Sequence, residues 1–284
     1  MSALRHPSAS PLPSLAPPPA AFSPRRIWAM VMRHVYILRT SWPRLFELAY
    51  WPTLQMILWG FISQFLMMNS SWVAQAFGVL LAAVILWDVL FRGQLGVSVS
   101  FLEEVWSRNL ASLFVSPLRP YEMVLSLMTM SLIRTLIGVV PAALLAIVLY
   151  QYSIFDLGLP LLAFFVNLLV MGWATGLMIS ALILRFGLGA ESLAWIAIFA
   201  LAPVSGIYYP ISVLPGWLQP VSWGLPSSYV FEGMRAVMFD GIFRWDLFFG
   251  ASGLNVLYLA AGAGLFLATF ERARRDGLLL RLGE

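Results

Sequence analysis

Residues 101–118 read Phe-Leu-Glu-Glu-Val-Trp-Ser-Arg-Asn-Leu-Ala-Ser-Leu-Phe-Val-Ser-Pro-Leu, and the rest of the chain is best read outward from them. Leu102, Val105, Trp106, Leu110, Leu113 and Phe114 recur at helical spacing and make one apolar face. Glu103, Glu104, Ser107, Arg108, Ala111 and Ser112 make the opposite face. Glu104 and Arg108 stand one turn apart, in the order that favours pairing. Ser116-Pro117 ends the helix, because proline cannot continue it. Long apolar runs lie on both sides. The pattern predicts a short amphipathic helix flat against the cytoplasmic surface of a membrane domain, placed to receive force from a soluble partner.

The flanking composition sets the class. The chain has 284 residues, 61% hydrophobic and 11% charged, with a mean hydropathy of +0.85. A soluble domain needs far more polar surface, so the chain reads as an integral membrane protein. The apolar runs are long and lack strand alternation, which selects helices over barrel strands. Six spans are expected near Leu45–Met68, Trp72–Leu90, Tyr121–Tyr150, Leu157–Leu184, Leu188–Tyr208 and Leu247–Phe270. Each is long enough for a hydrocarbon core that needs about 20 helical residues. The fold class is thus all-α, with residues 24–284 as one six-span domain and residues 1–23 as a disordered cytoplasmic tail rich in Pro, Ser and Ala. That tail lacks the basic and apolar regions of a cleaved signal peptide.

Absences narrow the chemistry. There is no cysteine, which excludes disulfides and thiolate metal sites. There is no lysine, which removes the phosphate-binding P-loop and Schiff-base chemistry. The two histidines, His6 and His34, lie near the N-terminus, so a histidine-based catalytic or metal site within the spans is not expected. The net charge of +4 does not point to nucleic acid, because the arginines gather beside span ends. With the N-terminus inside, 14 of the 17 basic residues fall in cytoplasmic segments. Arg235 and Arg244 fall outside and Arg134 within a span. Both termini are therefore expected to be cytoplasmic.

Other segments carry further expectations. Pro24–Thr40 reads as an interfacial helix, with Ile27, Met30, Val31, Val35 and Leu38 on one face and Arg25, Arg26, Arg33 and Arg39 largely off it. It serves either as a docking surface or as a membrane anchor. Gly172, Gly176 and Ser180, and again Ala260, Gly264 and Ala268, make small-residue faces for close helix packing within the chain or between copies. Ile207–Asp246 is too apolar for an ordinary outer loop, and Pro210, Pro215, Pro220 and Pro226 break it. It reads as two short helices dipping into the outer leaflet. Ser227 or Ser228 caps a helix that starts near Tyr229, and Glu232 pairs with Arg235. Arg134 lies about 20 Å along its span by the helical rise, so it faces protein or water. It either lines a conduit or makes a structural ion pair. Asp88 and Arg92, one turn apart, read as a local pair, as do Arg44 and Glu47.

The order of elements resembles the type-2 family of ABC exporter permeases, which move drugs, polysaccharides and lipo-oligosaccharides. One segment that carries the likeness is Arg108-Asn109-Leu110-Ala111-Ser112-Leu113-Phe114-Val115-Ser116-Pro117-Leu118 with Tyr121-Glu122, similar to the family's coupling helix. The other is Ile211-Ser212-Val213-Leu214-Pro215-Gly216-Trp217-Leu218-Gln219, then Leu225-Pro226-Ser227-Ser228-Tyr229 and Glu232-Gly233-Met234-Arg235, similar to the family's re-entrant outer segment. The likeness covers nearly everything after Arg25. The chain departs from the family pattern at Leu225-Pro226, where an Asn-Pro is common, and at Ala111, where an acidic residue is common.

The resemblance implies a permease in the bacterial inner membrane, paired with a second permease copy above two ABC ATPase subunits that hold ATP and magnesium. The chain itself would bind no cofactor and no nucleic acid and catalyse nothing. Membrane lipid would be its other partner. Force transfer would fall to Glu103, Glu104, Trp106, Arg108, Asn109 and Leu113 with the Ser116-Pro117 turn. The outer gate would fall to Pro215, Glu232 and Arg235. The crowded Phe, Trp, Met and Leu of the spans suit an amphipathic or lipid-linked cargo. Three rivals stand beside this reading. An ion-coupled secondary transporter would want several deep carboxylates. An intramembrane lipid transferase would want paired carboxylates or histidines at one depth. A non-transporting membrane scaffold is the third.

Overall fold

The computed structural model describes residues 22–69, 77–107 and 109–275. Every regular element among them is helical: α1 (Pro24–Thr40), α2 (Trp42–Asn69), α3 (Phe77–Trp106), α4 (Leu110–Val115), α5 (Pro120–Tyr150), α6 (Leu159–Phe186), α7 (Ser192–Val204), α8 (Gln219–Trp223), α9 (Pro226–Asp240) and α10 (Trp245–Arg275), with 3₁₀ turns at Ile154–Leu157, Gly187–Ala190 and Ile211–Val213. Four helices are long and apolar enough to cross a bilayer: α3, α5, α6 and α10. The protein is a multi-pass helical membrane protein. α2 has span length at 28 residues, but Arg44, Glu47 and Pro52 interrupt its first half. α7 has 13 residues, about 20 Å at the helical rise, and is shorter than the span expected at Leu188–Tyr208.

α3 and α6 form the centre. Gly172 and Gly176 of α6 lie directly on the α3 backbone. A Cβ at Gly172 would come 2.8 Å from the Gln94 nitrogen, and one at Gly176 would come 2.8 Å from the Gln94 oxygen. α10 packs on the other side of α6, where Gly262 faces the Ala174 carbonyl at 2.5 Å from an added Cβ. Small residues permit this approach, which is what joins helices in lipid. The Ala260–Gly264–Ala268 face is exposed instead, so the packing face of α10 is the one that carries Ala251, Asn255, Gly262, Phe266 and Phe270.

Two apolar clusters fill the bundle. One gathers Leu81, Leu86, Leu90, Ile154, Leu168 and Phe231. The other gathers Phe101, Leu102, Leu127, Leu177, Leu184 and Phe266. Between them α3 and α5 bury polar side chains, including Arg92, Gln94, Ser98, Ser131, Arg134 and Thr135. α2 leans on the end of α5, where the Tyr150 hydroxyl donates to the Ile57 carbonyl at 2.8 Å. Outward, α2 presents Trp42, Phe46, Tyr50, Leu54, Leu58, Phe61 and Phe65, all exposed.

Candidate coupling elbow, cavity and outer segment

The sequence reading places one amphipathic helix within Phe101–Leu118, ended by Ser116-Pro117. The structure corrects its bounds. α3 runs on through Leu90 to Trp106, and only Leu110–Val115 form a separate short helix. The apolar core holds Leu102, Val105 and Leu110, which is why α3 continues rather than ending at the expected interface. Trp106, Ser112 and Pro117 are exposed and Leu113 is half-buried. Ser116 Oγ donates to the Leu113 carbonyl at 2.6 Å and accepts from the Leu118 nitrogen at 3.3 Å, which closes the turn before Pro117. Arg108 lies outside the described residues.

Glu104 is not on a solvated face. It is fully buried and held by Arg33 Nη1 at 2.6 and 2.7 Å and by Asn109 Nδ2 at 2.9 Å, with His34 Nε2 at 3.3 Å. A second buried carboxylate, Glu122, sits at the start of α5. It accepts Arg26 Nε at 2.8 Å, Arg26 Nη2 at 2.6 Å, the Ser23 nitrogen at 2.9 Å and, closing a capping box, the Arg119 nitrogen at 3.0 Å. The hydrogen bond to Glu122 holds the Arg26 guanidinium above its ordinary range. Helix α1 is thus fastened on both sides of α4, to the end of α3 and to the beginning of α5. Its apolar face is as expected at Met30, Val31 and Leu38, and His34 joins it. Neither attachment was legible in the sequence. The signal was present only as Arg26 and Arg33 lying two helical turns apart, on one side of α1.

Arg134 is buried and its Nη2 donates to Glu103 Oε2 at 2.7 Å. Glu103, read as an exposed polar-face residue, is instead nearly buried, and Arg44 is its second neighbour at 3.5 Å. Glu103 and Arg134 border a cavity of about 320 Å³ between α2, α3, α5 and α7, with Leu38 of α1 at its edge. Trp51, Phe91, Trp106 and Trp195 supply aromatic wall, and Arg92 points into it. The expected Asp88–Arg92 pair does not form: both are buried, yet neither makes a hydrogen bond or direct ion pair among the described residues. Arg92 is the residue of this cavity that the sequence reading passed over, because proximity along a helix resembled pairing.

On the other side of the bundle the proline-broken segment is satisfied by side chains. Arg235 Nη1 donates to the Gly206 carbonyl at 2.7 Å and Glu232 Oε1 accepts the Ile211 nitrogen at 2.8 Å. The two residues pair at 3.0 Å. Gly206 has φ +63, which its missing Cβ permits. Ser222 Oγ donates to the Val204 carbonyl at 2.6 Å, and Ser205 and Ser227 hydroxyls meet at 2.9 Å. Such bonds are what irregular backbone needs away from water. Pro215 lies in the exposed turn that leads to α8. The expected capping by Ser227 or Ser228 is overturned: α9 begins at Pro226, Leu225 is its N-cap, and both serines are buried inside the helix. Proline at the first position preorganises that start. Two α-helices, α8 and α9, lie in the segment, with the 3₁₀ turn at Ile211–Val213 before them.

Among the described residues no group of three or more His, Asp or Glu is placed to hold a metal ion. A short detached helix thus stands between two long apolar ones, and a folded-back segment precedes the last helix. The chain belongs to the ABC-2 type transporter family, whose model matches residues 25–239. A search of curated proteins returned no match.

Proposed function

We propose that this chain is the permease subunit of an ATP-driven exporter. Two copies, or this chain and a sibling, stand in a bacterial inner membrane with both termini cytoplasmic, above two ATPase subunits that hold ATP and magnesium. α2 and α7, the latter extended by the folded-back outer segment, complete six crossings with the four long apolar helices. The cargo is an amphipathic or lipid-linked molecule taken from the cytoplasm or inner leaflet. α4 with the Ser116-Pro117 turn receives the ATPase motion, and Glu232 and Arg235 hold the outer barrier closed at rest.

The observation that carries this reading is the elbow. α4 is a six-residue helix with an exposed Ser112, set between two helices of 30 and 31 residues and clamped to α1 through buried carboxylates. Membership in the ABC-2 family supports the ATPase partner. A lysine-free chain has no P-loop of its own.

The test is purification of the tagged full chain in mild detergent from the cell that makes it. A P-loop ATPase should be retained in about equal amount, and a cysteine at Ser112 should cross-link to it. Failure to retain any nucleotide-hydrolysing partner, or labelling of that cysteine from outside intact cells, removes the proposal.

A further inference from the structure

The cavity between α2, α3, α5 and α7 holds two buried guanidiniums whose Nε atoms are unbonded among the described residues. Arg134 spends one side of its guanidinium on Glu103 and leaves its buried Nε without a partner. Arg92 is 7% exposed, lines the same cavity, and has no direct partner at all. Asp88, one turn earlier and buried, and Glu47 attract Arg92 electrostatically but make no hydrogen bond or ion pair with it. The remaining charges of the lining lie at its mouth: Arg44 and Glu47 are exposed and Glu191 is half-buried. Within the lining, Glu103 is the one carboxylate in contact with either buried guanidinium, and it touches Arg134.

A buried guanidinium with no counter-ion in contact is costly and persists where something compensates it. Gly138 makes room for this one: a Cβ there would stand 2.5 Å from Arg92 Nε. The planar fork of arginine matches an oxyanion bidentately, as it would a phosphate, sulfate or carboxylate headgroup. Around Arg92 the walls are Phe91, Leu95, Trp51 and Trp195, which accept hydrocarbon. A volume of about 320 Å³ fits a headgroup with part of a chain, not a whole diacyl lipid.

We infer that this cavity binds an amphiphile with an oxyanion headgroup, which Arg92 receives directly and Arg134 supports beside Glu103. The inference rests on the exporter reading for its biological role, since the ligand would be cargo or its precursor in the inner leaflet. Its chemistry is independent of any ATPase.

Native mass spectrometry of the full chain in neutral detergent tests it, with dodecyl phosphate, dodecyl trimethylammonium and phosphatidylglycerol as probes. Dodecyl phosphate should bind one to one and at least tenfold more tightly than the ammonium. It should also bind more tightly than phosphatidylglycerol, because the cavity admits one chain. Arg92→Gln should lower dodecyl phosphate affinity at least tenfold. Gly138→Ala keeps every charge and only displaces the far end of Arg92, so it should weaken the same probe several-fold while leaving the melting temperature near wild type. Equal retention of phosphate and ammonium overturns the site, as does a folded Arg92→Gln or Gly138→Ala variant with unchanged affinity. If Arg92→Gln does not fold, the headgroup ranking on wild type and the Gly138→Ala variant decide. Equal retention of phosphate and ammonium by a chain that still keeps its ATPase partner overturns this inference alone. Absence of an ATPase partner overturns the exporter reading alone.

Discussion

Arg33 and Glu104, 71 residues apart in sequence, meet at 2.6 Å where the N-terminal helix crosses the end of α3. Glu104 is fully buried and Arg33 is one-third exposed on its side chain. Truncating Arg33→Ala leaves a buried carboxylate with Asn109 and His34 alone, which is expected to lower stability by about 1–3 kcal/mol. Pairing that change with Glu104→Gln should restore much of the loss, because the buried charge goes with its partner. Denaturant unfolding in micelles measures both. Additive losses in the double variant would show that the pair does not couple α1 to α3.

Because the chain has no cysteine, single thiols report topology without background. Ser112→Cys and Trp217→Cys both stand at exposed positions, one beside the elbow and one in the outer segment. A membrane-impermeant maleimide added to intact cells should modify Trp217→Cys and spare Ser112→Cys until the membrane is opened. The reverse pattern would invert the orientation.

Gly172→Ala should destabilise the bundle by about 1–3 kcal/mol, since its Cβ meets backbone of α3 that has no free direction to move. Gly264→Ala meets nothing within 4 Å and should cost no stability. Thermal unfolding of the two variants side by side gives the comparison, and a loss at Gly264 equal to that at Gly172 would mean that its open face is covered in the assembled protein.

Asn255 Nδ2 donates to the Asn167 carbonyl and to its Oδ1, both at 2.9 Å, and so ties α10 to α6. Replacing Asn255 by Ala is expected to lower stability by about 0.6–1.7 kcal/mol, the range of interhelical hydrogen bonds in membranes. Since the change is confined to one helix pair, nucleotide-driven activity should fall little. An effect beyond 3 kcal/mol would point to a role outside this pair of bonds.

Arg235→Ala removes the donor that holds the Gly206 carbonyl and unpairs Glu232. Amide exchange in residues 206–213 should accelerate at least tenfold while α9 itself stays protected, and export should decline. Wild-type exchange in that stretch would take Arg235 out of the outer barrier.

What the sequence made legible was whatever repeats or punctuates. Helical spacing placed α5, α6 and α10 within a few residues, and proline and glycine marked the broken outer segment. What it hid was position in the third dimension. Glu104 looked solvated because its helical neighbours are polar, yet α1 folds over it. Asp88 and Arg92 looked paired because they are one turn apart, yet they attract each other without a hydrogen bond or ion pair between them. Arg134 was recognised as costly at its depth, and the structure gives it a partner, Glu103, that belongs to the stretch read as surface. Ala260, Gly264 and Ala268 had the right spacing to pack but lie on the wrong side of α10. Local periodicity cannot tell which of two small-residue faces a neighbour will choose.

The backbone-to-backbone seams at Gly172, Gly176 and Gly262 have a mechanical consequence. Helices in contact at that distance have no compliant side-chain layer between them, so α3, α6 and α10 move as a stiff slab. α2 meets α5 where the Tyr150 ring covers Gly60, α7 meets α3 where the Gln94 side chain donates to the Ala194 carbonyl, and both flank the space beside Arg92. When the elbow is pushed, displacement will concentrate in these two softer walls, so the route taken by a passenger is set by which helices can yield.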